Sequence, residues 1–327
     1  MKLYQITIKP LSAFGTPLVG DTLFGQLCWA VVHCFGQQRL QELLQGYAEQ
    51  SPFMVVSDAF PHNYIPLPTL PSAFWQWESN VDRQAERKKL KKLAYLPVSE
   101  VNKPLNQWQE LAYLKAQQEK EHSQKKVVSK QTYIQFHNTI DRQTQTTGTG
   151  QFAPFTTSQV MFKPDSLFDL YFVLDEVRLS YPEALQLFEY IGQFGFGRDA
   201  STGMGKFEVQ NKECIQAVDF SRESANAYLT LANSAPQHLG LDKTHSFYQI
   251  TTRFGRHGGE FALHSSPFKK PIILAKTGAI FTPTQWQERL FLGNGLTQVS
   301  SQQPNAVHQG YAPVIPVMLD FDLEKKD

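Results

Sequence analysis

Cysteine is scarce in this chain. Cys28, Cys34 and Cys214 are its only three, too few for a disulfide framework, and none belongs to a C-x-x-C pair, so their spacing offers no zinc site. Cys28 and Cys34 fall in an apolar, helix-patterned stretch, where they are expected as small buried side chains. A dominant charge sign is lacking too. Lysine and arginine number 31 against 30 acids, a net charge of +1, which excludes a uniformly basic nucleic-acid coat but leaves room for a local patch. No apolar run approaches the roughly 20 residues of a membrane span. Met1–Pro10 alternates polar and apolar residues where a signal peptide would carry a continuous apolar stretch. A reduced, cytoplasmic protein with no membrane association is therefore expected. Catalytic signatures are missing as well: there is no G-x-S-x-G, no H-E-x-x-H and no paired acidic cluster on a helix face. The expectation is binding rather than catalysis, with no metal and no cofactor.

What is present is a substantial core. Hydrophobic residues make up 41% of 327 and include 24 phenylalanines, enough material for two domains of ordinary size. Lys2–Lys9 alternates as a strand should. Asp21 is placed to cap a helix running to about Phe35, with Leu23, Phe24, Leu27, Val31 and Cys34 at helical spacing and Gly36 as its stop. A second helix is expected near Arg39–Glu49 and a short strand at Phe53–Ser57. Four prolines in Pro61–Pro71 exclude regular helix there. Later strands are expected at Phe152–Phe162, Leu167–Leu174, Lys206–Val209, Ala227–Ala232, Phe247–Arg253, Pro271–Ala275, Ala279–Phe281 and Pro313–Leu319, with a helix over Pro182–Phe194. Helical pattern is scarce after Ser221. The sum is an α+β chain in which strands outnumber helices.

Three stretches stand apart. Residues 83–130 hold twelve lysines and arginines against five acids. Arg87–Lys92 would ring one helix with positive charge, either as a solvated face or as a surface turned to phosphates, whose neutralisation releases counterions and strengthens binding. Gln131–Asn138 alternates and runs into the polar segment Asn138–Gln151, as an exposed hairpin tip would. Phe194–Phe207 is a glycine loop: Gly195, Gly197, Gly203 and Gly205 permit positive φ and close approach, and consecutive exposed amides there would form an anion-binding nest. Arg198, Lys206, Ser201 and Thr202 add cations and hydroxyls. Its order is wrong for a dinucleotide fingerprint, since a helix precedes it and a strand follows. It fails as a nucleotide-hydrolysing loop because Phe207 stands after Gly205-Lys206 where Ser or Thr is needed.

The helix opening Gly20-Asp21-Thr22-Leu23-Phe24-Gly25, the segment from His137 to Thr144 and the loop ending Thr202-Gly203-Met204-Gly205-Lys206-Phe207 occur in that order. Together they resemble the RAMP superfamily of CRISPR proteins. With Val55–Pro61 and Pro267–Pro271 added, the chain looks more narrowly like the family of fourth subunits of type III-A (Csm) effector complexes. The matching motifs run from Gly20 to Pro271; the last fifty residues match little.

The resemblance implies two ferredoxin-like (RRM-like) βαββαβ halves with insertions. Residues 1–211 would hold the first, with a basic insertion at about 83–130, a thumb-like hairpin at about 131–162 and the glycine loop at 194–207. Residues 212–327 would form the second. It implies a non-catalytic subunit, one copy per complex, which binds the repeat-derived 5′ tag of the crRNA in antiviral defence. Its partners would be the polymerase-like large subunit and the backbone RAMP subunits. The RNA contacts carried over are Gly195, Gly197, Arg198, Ser201, Thr202, Gly203 and Lys206 in the loop, His137, Asn138 and Arg142 in the hairpin, and Gly20 and Asp21 before the first helix. Phe14, Phe136 and Phe196 lie near these segments and are candidates to stack on bases, although each fits a core position as well.

Two alternatives stay open. A CRISPR-repeat endoribonuclease of the same superfamily would need a general base, for which His33 is the candidate. Its neighbours place it in a helix, partly buried, while His62 is exposed without an evident partner. A general RNA-binding assembly protein is the other.

Overall fold

Lys2–Pro10 forms β1, with Leu3, Tyr4, Ile6, Thr7 and Ile8 buried, and the first sheet is built around it in the computed structural model, which describes residues 1–78, 82–121, 130–212, 216–258 and 267–320. The chain then runs through α1 (Gly20–Phe35), α2 (Gln37–Leu43), β2 (Met54–Val56), β3 (Phe60–Pro61), β4 (Tyr64–Pro66), α3 (Arg87–Leu90), β5 (Tyr95–Pro97) and α4 (Trp108–Glu121). An exposed hairpin follows, β6 (Lys130–His137) and β7 (Phe155–Phe162), then β8 (Phe168–Leu174), α5 (Tyr181–Phe194), β9 (Phe207–Gln210) and β10 (Gln216–Ala217). β1 pairs with β8 from Lys2 opposite Leu174 to Ile8 opposite Phe168. β9 and β10 share the free edge of β1, and β2 and β3 share that of β8, all antiparallel. Taken as β1, α1, β2, β8, α5, β9, the unit is strand, helix, strand, strand, helix, strand. Its strands lie in the order fourth, first, third, second.

Both helices earn their place by one apolar stripe. α1 buries Leu23, Phe24, Leu27, Ala30 and Val31, and α5 buries Ala184, Leu187, Phe188 and Ile191. α5 opens with a capping box: Glu183 N donates to Ser180 Oγ, and Ser180 N donates to the Glu183 carboxylate at 2.8 Å. α1 has no side-chain cap of its own, and it begins one residue before Asp21. Its first amide, Gly20 N, instead donates to Asp58 Oδ1 at 2.8 Å. The helix expected over 39–49 ends at Leu43, after which turns lead to Gly46 at φ +73°. The helix expected over 87–92 is the four-residue α3. Cys28 and Cys34 are partly buried on α1, and Cys214 lies outside the described residues.

The second half departs from expectation. β11 (Ala227–Thr230), β14 (Ile280–Phe281), β15 (Phe291–Leu296) and β16 (His308–Val317) form one antiparallel sheet in the order β14-β11-β16-β15, with β12 (Ile250–Arg253) and β13 (Ile272–Ala275) as a separate pair. Among the described residues no α-helix follows Phe194, so the two helices of a second βαββαβ unit are not there. The physical reason lies in β16. All ten of its residues are buried, and it packs against α1 and β2. The first half's helix thus covers the second half's sheet. Gln309 seals the joint by accepting from Val56 N at 2.9 Å and donating to Val56 O at 2.8 Å, and Tyr311 Oη donates to Tyr47 O at 2.6 Å. One apolar cluster runs through both halves, from Phe24, Tyr47 and Phe53 to Tyr311, Ile315 and Val317.

Candidate nucleic-acid interface

The hairpin stands on the glycine loop. Phe14 and Val160 exchange backbone hydrogen bonds at 2.8 and 2.9 Å, and the Arg198 guanidinium donates to Ser158 O. Between these elements and the α3–α4 segment opens a groove of about 1730 Å³. That is larger than a pocket for one small molecule, for which about 300–1,000 Å³ is usual. Lys89, Lys91, Lys92 and Lys115 stand on the wall formed by the α3–α4 segment; Lys130, Lys163, Arg198 and Lys276 also line it. Among the described residues, eight cations and one carboxylate, Asp58, therefore line the groove in a chain whose net charge is +1, although Lys89 is paired with Glu86 and Arg198 with Asp199. Opposed phosphates would find a concentrated positive field here. The basic stretch is thus no solvated helix face alone; part of it turns into the groove, while 122–129 lies outside the described residues.

The amides of the glycine loop are taken up within the loop, by the end of α5 and by the Ser12–Thr16 segment. Gly195 N donates to Ile191 O, Phe196 N to Gly205 O, Gly205 N to Ala13 O, Arg198 N to Thr16 Oγ1 and Lys206 N to Ser12 Oγ. Thr202, Gly203 and Met204 amides bond within the loop as well. A Cβ on Gly205 would lie 2.1 Å from Phe196 O, and one on Gly197 2.5 Å from Thr16 Cβ. The glycines permit packing, and most amides expected to form an anion nest are already bonded. Arg198 is likewise engaged, with Asp199 Oδ2 3.2 Å from its Nε as well as Ser158 O. Ser201, Thr202 and Lys206 keep exposed side chains. Of the twelve residues expected to touch RNA, Arg198 alone lines the groove.

Asp21 and Gly20, expected on the RNA face, are buried and do not line the groove. A Cβ on Gly20 would meet Val56 O at 2.4 Å. The Asp21 side chain is 1% exposed, and Arg253 donates to it twice: Nε to Oδ2 and Nη2 to Oδ1, each at 2.7 Å. Desolvation raises this carboxyl, but the hydrogen bonds and charge of Arg253, helped by the Thr22 hydroxyl, outweigh it and hold the group below the usual carboxylate range. Asp21 ties α1 to β12.

On the hairpin, His137 stacks on Phe155 with ring centroids 4.9 Å apart, and its Nε2 lies 2.9 Å from Thr157 Oγ1. Asn138 and Arg142 are exposed beyond it. Phe136 is 80% exposed and free to stack, whereas Phe14 and Phe196 are core residues. His33 is exposed rather than partly buried, its ring between Trp29 and Tyr190 at 6.0 and 5.8 Å. His62 has a partner after all: its Nδ1 lies 2.8 Å from Asp169 Oδ1. That buried carboxylate also accepts from Thr7 Oγ1 and Asn63 N, a stitch that fixes the β3–β4 turn to β8. Among the described residues no group of His, Cys, Asp and Glu is arranged to hold a metal, and no helix is long and apolar enough to cross a membrane. Sequence reasoning missed Lys163, Lys276 and Asp58 as groove residues.

Fold and groove together define a mixed α/β chain with antiparallel sheets and a basic cleft. The family model of the RAMP superfamily matches residues 5–208, and the chain belongs to that superfamily. Among solved structures, a chain of the Csm3-Csm4 subcomplex in the type III-A CRISPR-Cas interference complex is similar at a TM-score of 0.59 and 14% identity, covering 97% of this chain and 99% of that one. A chain of the Csm1-Csm4 cassette in complex with pppApA gives 0.58 and 14%, covering 98% and 99%, and one of the same cassette with AMPPNP gives 0.53 and 16%, covering 97% and 99%. Csm4 is the protein common to these assemblies, and at such identities the likeness is one of fold. No curated protein sequence matches this chain.

Proposed function

We propose that this chain is the non-catalytic subunit of a type III-A CRISPR interference complex that holds the repeat-derived 5′ tag of the crRNA. The observation that carries the reading is the groove, which among the described residues is lined by eight cations from segments far apart in sequence and by one carboxylate. Single-stranded RNA is held by such phosphate anchors together with aromatic faces; Tyr64 and Tyr95 in the groove and Phe136 on the hairpin supply the latter. The exposed hairpin serves as the thumb, and His137, Asn138 and Arg142 contact RNA from it, as Ser201, Thr202 and Lys206 do from the loop. The strand order of residues 1–211 supports a ferredoxin-like unit; residues 212–327 form a second unit that has no helices of its own among the described residues. One copy acts per complex, in the cytoplasm, docking the polymerase-like large subunit and the backbone RAMP subunits.

The test is to purify the assembled complex through this chain and sequence the 5′ ends of its RNA. A constant repeat-derived segment is expected, with the polymerase-like subunit present. Replacing Lys91, Lys92 and Lys115 by alanine should weaken binding of that RNA. The slope of log affinity against log salt should then fall by about one unit for each phosphate that is no longer neutralised. No RNA, or repeat fragments newly cut by the isolated chain, would sink the reading.

A further inference from the structure

Asp58 is out of place in a phosphate groove. It follows β2, and its oxygens hold the start of α1 to the second half: Oδ1 accepts from Gly20 N at 2.8 Å and Oδ2 from Thr277 Oγ1 at 2.6 Å. Neither role requires a charge, since asparagine or serine caps a helix as well as aspartate does. A carboxylate among phosphates is repelled by each of them. Burial pushes it up to about 6 despite those two hydrogen bonds, with the Asp21 charge adding to the rise, so the free protein gains little by keeping it ionised. A carboxylate offers about four lone-pair sites, and two donors are accounted for. Tyr95, Gln249, Lys276 and Thr277 line the groove with it.

We propose that the groove wall at Asp58 is a nucleobase-reading subsite that takes guanine by its Watson–Crick edge. This rests on the reading of the groove as an RNA site. Guanine shows two adjacent donors, N1–H and the N2 amine, next to the O6 acceptor. The two Asp58 oxygens match the donor pair, and the Lys276 ammonium or Gln249 amide matches O6. Adenine and uracil lack the adjacent pair, and cytosine offers one amine beside acceptors that a carboxylate repels. The surrounding lysines hold the backbone without regard to sequence, and Asp58 adds the choice of base.

The experiment uses the reconstituted ribonucleoprotein and RNA oligonucleotides that copy the constant 5′ segment of the RNA purified with it. Each guanosine is replaced in turn by inosine, which lacks the N2 amine, by 1-methylguanosine, which lacks N1–H, or by 7-deazaguanosine, which alters only the opposite edge. At one position the first two should weaken binding roughly tenfold each, and the third should not. In Asp58→Asn, whose amide oxygen still caps Gly20, the inosine penalty should disappear at that position alone. The inference is overturned if no position shows the pattern, if 7-deazaguanosine costs as much as inosine, or if Asp58→Asn tightens every RNA by one common factor and keeps the penalties. A complex that carries no RNA overturns the underlying reading, an outcome distinct from all of these.

Discussion

Arg253→Met tests what joins the two halves. The substitution keeps an apolar stem and removes the guanidinium that donates twice to Asp21. Asp21, with 1% of its side chain exposed, would keep, among the described residues, the Thr22 hydroxyl at 2.9 Å, the Asn233 amide at 3.4 Å and His308 Nε2 at 3.7 Å. His308 is no substitute cation, because burial pushes its pKa down to about 4 and leaves it neutral. Removing one member of a buried pair costs about 3–5 kcal/mol; Arg253 is 30% exposed, so water reaches the site and the lower end, about 3 kcal/mol, is expected. Urea unfolding at pH 7 followed by tryptophan fluorescence reads this directly. Adding Asp21→Asn removes the stranded charge, so the double variant should recover about half of the loss. The deficit of Arg253→Met should also shrink as pH falls, because protonation relieves an unpaired carboxylate. A loss under about 1 kcal/mol, or a double variant no better than the single, would refute the bridge as a structural tie. Guide affinity in Asp21→Asn should be unchanged, whereas a direct RNA ligand at this position would weaken it.

The glycine loop and the buried acids make two further predictions. Gly203→Ala places a side chain at φ +94° in open space and should cost about 1 kcal/mol of left-handed strain. Gly205→Ala at φ +72° drives a Cβ to 2.1 Å from Phe196 O and should cost about 3 kcal/mol or prevent folding; equal melting points for the two would show that the loop yields. Stability between pH 6.5 and 4 reflects two opposed groups. His308, whose pKa is lowered to about 4, loses stability as pH falls, because the unfolded state takes the proton first. Asp58, raised to about 6, gains as pH falls, because the folded state takes the proton first. Asp58→Asn should therefore steepen the acid-side decline, and a shallower decline by urea melts at stepped pH would contradict the Asp58 assignment.

Periodicity made β1, α1, α5 and the hairpin legible within a residue or three, because their apolar spacing is a local property. The start of α1 was misread for a physical reason. Asp21 is the residue type that caps helices, yet the oxygen that binds the first amide belongs to Asp58, which no local pattern reveals. β15 was missed because Gly293 and Gly295 interrupt its pattern, and both are needed: their Cβ atoms would lie 2.0 Å from Gly310 O and 2.4 Å from Tyr47 O. The glycine loop was visible as composition, but whether its amides face a ligand or the loop's own carbonyls is decided by tertiary contact. The charge surplus of the α3–α4 segment was visible too. Its groove was not, because Lys163 and Lys276 arrive from elsewhere in the chain. The absence of helices from the described part of the second half follows from α1 covering β16, a relation between distant segments.

That relation has a consequence for how the chain is made. α1 is complete at Phe35, and the strand that covers its second face begins at His308. At ribosomal rates of about 5–20 residues per second, the interval is on the order of tens of seconds. Throughout it, the nascent chain presents an apolar helix flank to solvent. The first sheet can assemble early, but the fold closes only when β16 emerges, so translation holds this subunit open until that strand has been made.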